Sequence, residues 1–498
     1  MRLIVKDMDI STGRTPIVIL NEKDASRMDL HPNDRLFVTK GSRKAIAVLD
    51  IAQSEKAVPI GHIGLFEETL AALRARDGDS VDFRMARKPV SVEYIRKKLD
   101  GKELEDSEIN EIVKDIVFNN LTDVELTGFI TGNYVNGMSL REVVALTKSM
   151  AYSGLHLSLR KKQILDVHSI GGVPGNRTTP IIVPIVAAAG LTIPKTSSRA
   201  ITSPAGTADT LEVLTNVVLP KEKLERLAYQ IGGFMVWGGA ISLAPADDKI
   251  IAIEHPLNID AEGQMLASIM AKKKCVGATN LLLEIPIDVN GKVADEKRAL
   301  HLKNLFTVLG AKLGIDVQVL ITDGSQPVGN GIGPALEARD LLWVLTNDRR
   351  GPYDLREKSL IMAGKLLEIG GKAALGEGYI RAQQILDSGE AYAKFAEMIK
   401  AQGGPRIIRA EDVPLSKLTF DVLAPKSGRI VEMDNRAIAH IAKSAGAPSD
   451  RGSGLYLHKH RNDVVKAGEL LYTIHATTRD ELTYAIAASR QHVGVVIR

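Results

Sequence analysis

Short apolar runs separated by turn residues open the chain. RLIVKDMDI (2–10), PIVIL (16–20), RLFVTK (35–40) and KAIAVLDI (44–51) are rich in Val, Ile and Leu, the residues that suit a pleated, half-buried surface. They predict a β-rich N-terminal domain over residues 1–85, closing near Asp77-Gly78-Asp79 and Arg87-Lys88-Pro89. The period changes after Val92. Through IVKDIVFNNL (112–121) and LREVVALTKSM (140–150), apolar residues recur at three and four, the spacing of amphipathic helices. Thr122 with Glu125 and Ser139 with Glu142 have capping-box spacing, so two of these helices start there. A helical domain over 86–155 is expected, joined by part of 245–276.

From Gln163 strands and helices alternate. QILDVHS, LTIPKT, TNLLLEIPI and VQVLITDG read as strands between helical stretches, which argues for a largely parallel sheet over 160–405. DAEGQMLASIMAKKK (260–274) reads as a helix with Asp260 near its N-cap and three lysines in its last turn, where the macrodipole favours them. Gln402-Gly-Gly-Pro405 reads as a linker. Short strands return over 415–498, giving a C-terminal α+β domain. Two of its segments, GRIVEMD and DVVKAGELLYTIHA, resemble the biotinyl/lipoyl carrier sandwich, but Asp434 and Asn435 stand where a carrier lysine would be. The expected fold class is thus α/β and multidomain. A small helical domain and a large α/β domain with a mixed or parallel sheet are flanked by the two β-containing ends.

Composition narrows the function. The 498 residues carry 64 basic and 60 acidic side chains, and no basic block exceeds Lys272-Lys273-Lys274, which disfavours nucleic acid as a partner. One cysteine, Cys275, excludes an intramolecular disulfide and a cysteine-cluster metal site, and points to a reducing compartment. The longest apolar stretch, 181–191, is too short to span a bilayer and contains Pro184. No signal peptide is evident. A cytoplasmic protein without a membrane or a bound metal is expected.

Three segments could carry chemistry. DVHSIGGVPGNRTT (166–179) starts at a strand end and runs into a helix, and its glycines let backbone N–H groups approach an anion. A plain Gly-rich βα turn would look the same. KTSSRAITSPAGTAD (195–209) packs six hydroxyl residues with Arg199 into fifteen positions, which suits an anion site or a solvated loop, because buried hydroxyls need partners. In the third, Ser268 and Lys272 share a helix face four positions apart.

Together DVHSIGG, KTSSRAITSPAGTADTLEVL, WGGAISLAPADD, LASIMAKK and QPVGNGIGPALEARD resemble the thymidine phosphorylase family. The added N-terminal unit places the likeness in the long branch that includes AMP phosphorylases and bacterial proteins carrying the thymidine phosphorylase name. The resemblance implies a pentosyltransferase in which phosphate attacks C1′ of a nucleoside or nucleoside 5′-monophosphate and the free base leaves. It implies phosphate as co-substrate and no cofactor, a homodimer or higher homo-oligomer contacting through the helical domain, and a cleft between the helical and α/β domains. By the same resemblance Asp260 stands at the proton donor and His168 at a base-contacting position. Gly172, Ser198, Arg199, Ala200, Ile201, Thr202, Ser203, Thr207, Ser268 and Lys292 match nucleotide contacts. Ser169, Thr179, Ser197 and Thr207 match phosphate contacts, and Ser268 and Lys272 match base contacts.

The chain departs from the short-branch pattern. Val167 stands where those enzymes carry Lys, and no Arg occurs at Ile253–His255 where their pyrimidine-reading Arg falls. Arg177 and Arg199 are expected to compensate by holding a substrate 5′-phosphate. Two rival readings follow from the same scaffold. One is a phosphoribosyltransferase using Asp209, Asp247 and Asp248 toward Mg²⁺. The other is a catalytically silent nucleotide sensor.

Overall fold

The computed structural model describes all residues except 1, 14–15, 87, 160, 201–202, 258 and 406–407. It divides into two compact units. Residues 1–153 with 245–267 form the first, and 154–244 with 268–498 form the second.

The first unit begins with a closed six-stranded barrel, in the order β1-β5-β2-β4-β3-β6. Its strands are β1 (Arg2–Asp7), β2 (Ile17–Asn21), β3 (Arg35–Lys40), β4 (Arg43–Ala52), β5 (His62–Leu65) and β6 (Ser80–Met85). Alternation dictates the inside. Leu3, Val5, Val18, Leu20, Leu36, Val38, Leu49, Val81 and Phe83 point into one core and are at most 5% exposed. The pairs β1/β5 and β2/β4 are parallel. Parallel pairing needs crossovers, and the short helix α1 (Glu22–Ser26) lies within these connections, with α2 (Glu67–Leu73) following β5.

Four helices follow: α3 (Ser91–Leu99), α4 (Asp106–Val117), α5 (Asp123–Asn136) and α6 (Leu140–Tyr152). Both expected capping boxes are present, at Thr122/Glu125 and Ser139/Glu142. Glu142 does more than cap. It is 1% exposed and its carboxylate accepts both the Lys98 ammonium, at 2.8 and 2.9 Å, and the Leu104 N–H at 2.9 Å. A helix from later in the chain, α10 (Pro245–Leu257), returns to this unit. Its Lys249 donates to the Ile116 and Val117 carbonyls at 2.7 and 2.8 Å, neutralising the carbonyl end of α4. Arg35 of β3 pairs with Glu125 and donates to the Asn120 carbonyl, so the barrel is tied to the helices by charge.

The second unit carries β7 (Leu165–Ser169), α7 (Thr179–Ala188), β8 (Ile193–Ser197), α8 (Thr207–Glu212), α9 (Lys221–Gln230) and β9 (Gly233–Trp237). It resumes within α11 (Glu262–Cys275). There follow β10 (Asn280–Ile287), α12 (Glu296–Leu313), β11 (Asp316–Asp323), β12 (Gly331–Ile332), α13 (Pro334–Leu345), α14 (Tyr353–Ile369), α15 (Gly378–Asp387) and α16 (Glu390–Gln402). The strands β11-β10-β7 form one parallel sheet and β8-β9 another. Helix α7 is apolar all round and buried, so it is the spine of this core, with α13, α14, α15 and α16 contributing to the same cluster.

The part of 245–276 that joins the first unit ends at Ala267. The later turns of α11 bond elsewhere: Lys273 to Asp166 and the Cys275 thiol to the Leu243 carbonyl. The Gln402 linker signal marks a real helix end, yet Gln402 itself is docked. Its buried side-chain amide accepts the Met235 N–H at 2.9 Å and donates to the Met235 carbonyl at 2.8 Å.

The C-terminal strands β13 (Leu418–Leu423), β14 (Gly428–Met433), β15 (Gly454–Leu457), β16 (Val464–Val465), β17 (Leu470–Ala476) and β18 (Val495–Ile497) form two antiparallel sheets, one of which recruits β12. Helices α17 (Asn435–Ser444) and α18 (Arg479–Gln491) cover them. Asp434, at the expected carrier-lysine position, is the N-cap of α17 and accepts the Arg436 and Ala437 N–H groups. A helix start thus stands at that position.

Lys98→Met is expected to leave the Glu142 carboxylate buried without its cation, costing about 3–5 kcal/mol. Urea denaturation measures it, and an unchanged midpoint would show that the pair contributes nothing.

Candidate active site

Three loops leave the carboxyl ends of β7, β8 and β10, the side of a parallel sheet where ligands bind. The first, after β7, turns on Gly171 and Gly172, whose φ values of 88° and 99° are left-handed. A Cβ on Gly172 would lie 3.8 Å from the Lys292 N, so the loops after β7 and β10 run side by side there. Gly175 is required for space as well as angle, since a Cβ would lie 2.4 Å from the Val328 carbonyl oxygen.

The second loop, after β8, is organised by a carboxylate. Asp209, in the first turn of α8, accepts the Ala200 N–H at 2.7 Å and the Gly206 N–H at 2.8 Å. Gly206 closes the turn against the Ser198 carbonyl, where a side chain would clash at 2.6 Å. Arg199 donates to Glu212 at 2.7 and 2.8 Å and to Asp209 at 3.3 Å, and its guanidinium stacks over Trp237. Ser203 donates to the Ala205 carbonyl. Ser197, at the end of β8, has a buried hydroxyl without a hydrogen-bond partner among the described residues, which marks it as a donor available to a ligand. Thr207 and Thr179 are the first residues of α8 and α7. Ile201 and Thr202 lie outside the described residues.

Arg177 straps the two loops together. Its guanidinium donates to the Ala205 carbonyl in the hydroxyl loop, to Glu337 of α13 and to the Asn176 carbonyl, and Thr210 also donates to Glu337 at 2.8 Å. Arg177 is 8% exposed and Glu337 1%. Burial lifts the Glu337 carboxyl above its ordinary range, while Arg177 and Thr210 pull it back. The expectation that Arg177 holds a substrate 5′-phosphate therefore does not fit. All of its nitrogens are committed to protein oxygens in the interior. Arg199 is likewise engaged, by two carboxylates and a ring.

Beneath the first loop lies a cluster of charge. Asp166 is fully buried, and its carboxylate accepts the Lys273 ammonium at 2.8 Å, with the Lys195 ammonium 3.7 Å away. His168 follows two residues later. Burial, then Lys273, Lys195, Lys272 and Lys292 in that order, hold its imidazole well below the usual histidine range, so it is neutral near pH 7. Four lysines from β8, α11 and the loop after β10 thus converge electrostatically on the end of β7. Ser169 accepts the Gly171 N–H at 3.3 Å and interacts with the buried Glu284. Burial would raise the Glu284 carboxyl, but Lys358, Thr322 and Ser169 hold it below its ordinary value. On α11 the Lys272 ammonium lies 3.5 Å from the Ser268 hydroxyl, as their spacing predicts.

The structure therefore brings together His168, Gly172, Lys272 and Lys292, with Ser268 beside Lys272. It joins Thr207 to the Ser197–Ser203 loop. Asp260 is exposed, two residues ahead of the start of α11, and belongs to the first unit. The helix begins later than expected, which takes Asp260 out of the N-cap position. Sequence reasoning missed Asp166, Lys195, Lys273, Glu284 and the Arg177–Glu337 pair as elements of the site. Asp166, Lys195 and Arg177 lie inside the two segments that sequence singles out, but nothing in their spacing says that they pair with Lys273 and Glu337.

The chain is similar to known proteins along nearly all of its length. Residues 92–154 match the helical bundle domain of a glycosyl transferase family, and 161–392 match its a/b domain. Residues 429–495 match the pyrimidine nucleoside phosphorylase C-terminal domain. The AMP phosphorylase of Pyrococcus furiosus is 46% identical over 491 residues, 99% of this chain and 97% of that protein. AMP phosphorylase 1 of Archaeoglobus fulgidus is 45% identical over 480 residues, 96% of this chain and 94% of that protein. The fold is also similar to anthranilate phosphoribosyltransferase from Thermus thermophilus. The TM-score is 0.53 at 19% identity, covering 62% of this chain and 98% of that one.

Arg177→Met should strand the Glu337 carboxylate and cost about 3–5 kcal/mol, and the double variant Arg177→Met/Glu337→Leu should recover part of the loss. Denaturant titration of the three proteins checks this. A single variant as stable as the wild type would dismiss the strap.

Proposed function

The chain belongs to the thymidine phosphorylase-like family of glycosyl transferases, and from that membership we propose that its substrate is a nucleoside 5′-monophosphate, AMP foremost. The enzyme is of the pentosyltransferase type and cleaves N-glycosidic bonds with inorganic phosphate. The finer reading rests on one observation, the near full-length likeness to AMP phosphorylases at 46% and 45% identity. The site supports it: lysines from three elements converge on His168. A substrate bearing its own phosphate, plus an attacking phosphate, brings several negative charges to one place, and such a field favours them.

In this reading phosphate is held by Ser197, Thr207, Thr179 and the backbone of the two glycine-turned loops. Ser197 has an unused buried hydroxyl for it. Phosphate attacks C1′ as the base departs through an oxocarbenium-like state, giving free base and ribose 1,5-bisphosphate. Holding the anion in line removes translational and rotational freedom before the step. Lys292, beside Gly172, and the Ser198–Ser203 segment, apart from the engaged Arg199 side chain, take the nucleotide's phosphate and sugar. Ser268 and Lys272 face the base. His168, neutral, positions rather than titrates. Asp260 donates the proton that lets the base leave as a neutral molecule. Phosphate serves as co-substrate and the reading needs no other cofactor.

Release of free base should require phosphate and should be faster from AMP than from adenosine. Incubation with each nucleotide and nucleoside, with and without phosphate, reads this by chromatography of the base. Equal release without phosphate would make the enzyme a hydrolase.

Asp260→Asn keeps the size of the side chain and removes its proton, so kcat should fall by about 10²–10⁴-fold. The melting temperature should be little changed, because Asp260 is exposed and stands outside α11 and its cap position. Single-turnover rates measured beside thermal melts decide it, and wild-type turnover would strip Asp260 of this role.

A further inference from the structure

The strands β7 and β8 deliver the two loops of the site, yet they belong to different hydrogen-bonded sheets. They meet at their starts, where the Leu165 N–H donates to the Thr192 carbonyl at 2.8 Å. Further along, a side chain bridges them: the Lys195 ammonium of β8 donates to the Val167 carbonyl of β7 at 2.6 Å. Val167 is the residue immediately before His168. Lys195, Asp166 and Lys273 are 4%, 0% and 2% exposed. Two ammonium groups therefore face one carboxylate inside the protein, one positive charge in excess.

An uncompensated buried charge is costly unless something opposite approaches it. Among the described residues the cluster holds one anion, Asp166. The Lys195 ammonium contributes to the positive field at His168, whose neighbours Ser169 and Gly172 begin the anion loop. We propose that Lys195 is a positioning residue. Its ammonium bridges β7 to β8 beneath His168 and Ser169, and supplies part of the field that holds an oxyanion at the ends of these strands. This rests on the phosphorolysis reading given above.

The groups facing Lys195 are few. From β7 come Asp166 and His168, and from α11 comes Lys273. Lys272 of α11 and Lys292 act on the same end of β7, where Glu284 of β10, paired with Lys358, also meets Ser169. Neither β9 (GFMVW) nor α7 (TPIIVPIVAA) carries an ionisable side chain. Burial first, then Lys273, push the Lys195 ammonium down to about 7, against the pull of Asp166. The sign follows. Below about 7 Lys195 is charged and anion binding is favoured, and above it the proton leaves and the field weakens.

Sulfate tests this, because its charge is constant over the range while that of phosphate is not. Its competitive inhibition constant against phosphate is measured for the wild type, Lys195→Met and Lys195→Arg. In the wild type the constant should rise about tenfold between about pH 6 and pH 8.5, the effect of a field of a few kT. Lys195→Met should bind sulfate weakly throughout with no slope, and Lys195→Arg should bind it tightly with no slope. A Lys195→Met enzyme with the wild-type constant and slope, altered only in melting temperature, overturns the proposal. Should that variant fail to fold, a wild-type slope surviving in Lys195→Arg does the same. Base release by the wild type without phosphate would instead refute the phosphorolysis reading on which the proposal stands.

Discussion

Two lysine ammonium groups beside a single buried carboxylate hold the seam between β7 and β8. Desolvating three charges is unfavourable, and replacing such a cluster by packed apolar side chains is often neutral or stabilising. Its presence is therefore weak evidence for stability and better evidence for a task. The location fits that view. Lys195 leads into the hydroxyl loop, Asp166 leads into the Gly171-Gly172 turn, and Lys273 fixes the end of α11, one residue past Lys272. The loops after β7 and β8 are thus positioned from below by charges that water does not screen.

A second buried ion pair, Arg177–Glu337, joins the same loops from the other side. The two clusters divide the labour. Arg177 commits its donors to protein oxygens and fixes geometry, whereas the lysines leave an excess of positive charge. Arginine suits the first task because its planar fork satisfies several acceptors at once, and lysine suits the second because its compact charge can also be titrated by burial. The cations that sequence reasoning assigned to a substrate phosphate thus serve the scaffold, and the field at His168 comes from lysines, two of which, Lys195 and Lys273, it gave no role.

Much of the fold was legible because period reports burial. Runs rich in Val, Ile and Leu such as RLIVKD and RLFVTK located strands, and the capping pairs at Thr122 and Ser139 located helix starts. Barrel closure was not legible, since alternation names a strand's inner face and not its neighbours. The hydroxyl loop was legible in composition, as was the Ser268/Lys272 pair in spacing. The Arg177–Glu337 and Asp166–Lys273 pairs were not, because they join residues 160 and 107 positions apart and leave no local pattern. Lys273 shows the difficulty: its neighbours in sequence are lysines too, and only packing tells that it is the buried one.

Closure of the N-terminal barrel has its own implication. Every strand in the order β1-β5-β2-β4-β3-β6 is flanked on both sides, with β6 returning to β1. A sheet so closed offers no row of unpaired N–H and C=O groups to a passing strand, the usual route by which exposed edges recruit one another. Any assembly built through this barrel must be written in side chains, such as the outward-facing Ile4 and Met85, at 43% and 52% exposed. Contacts of that kind can change residue by residue while the backbone pairing that closes the barrel stays the same.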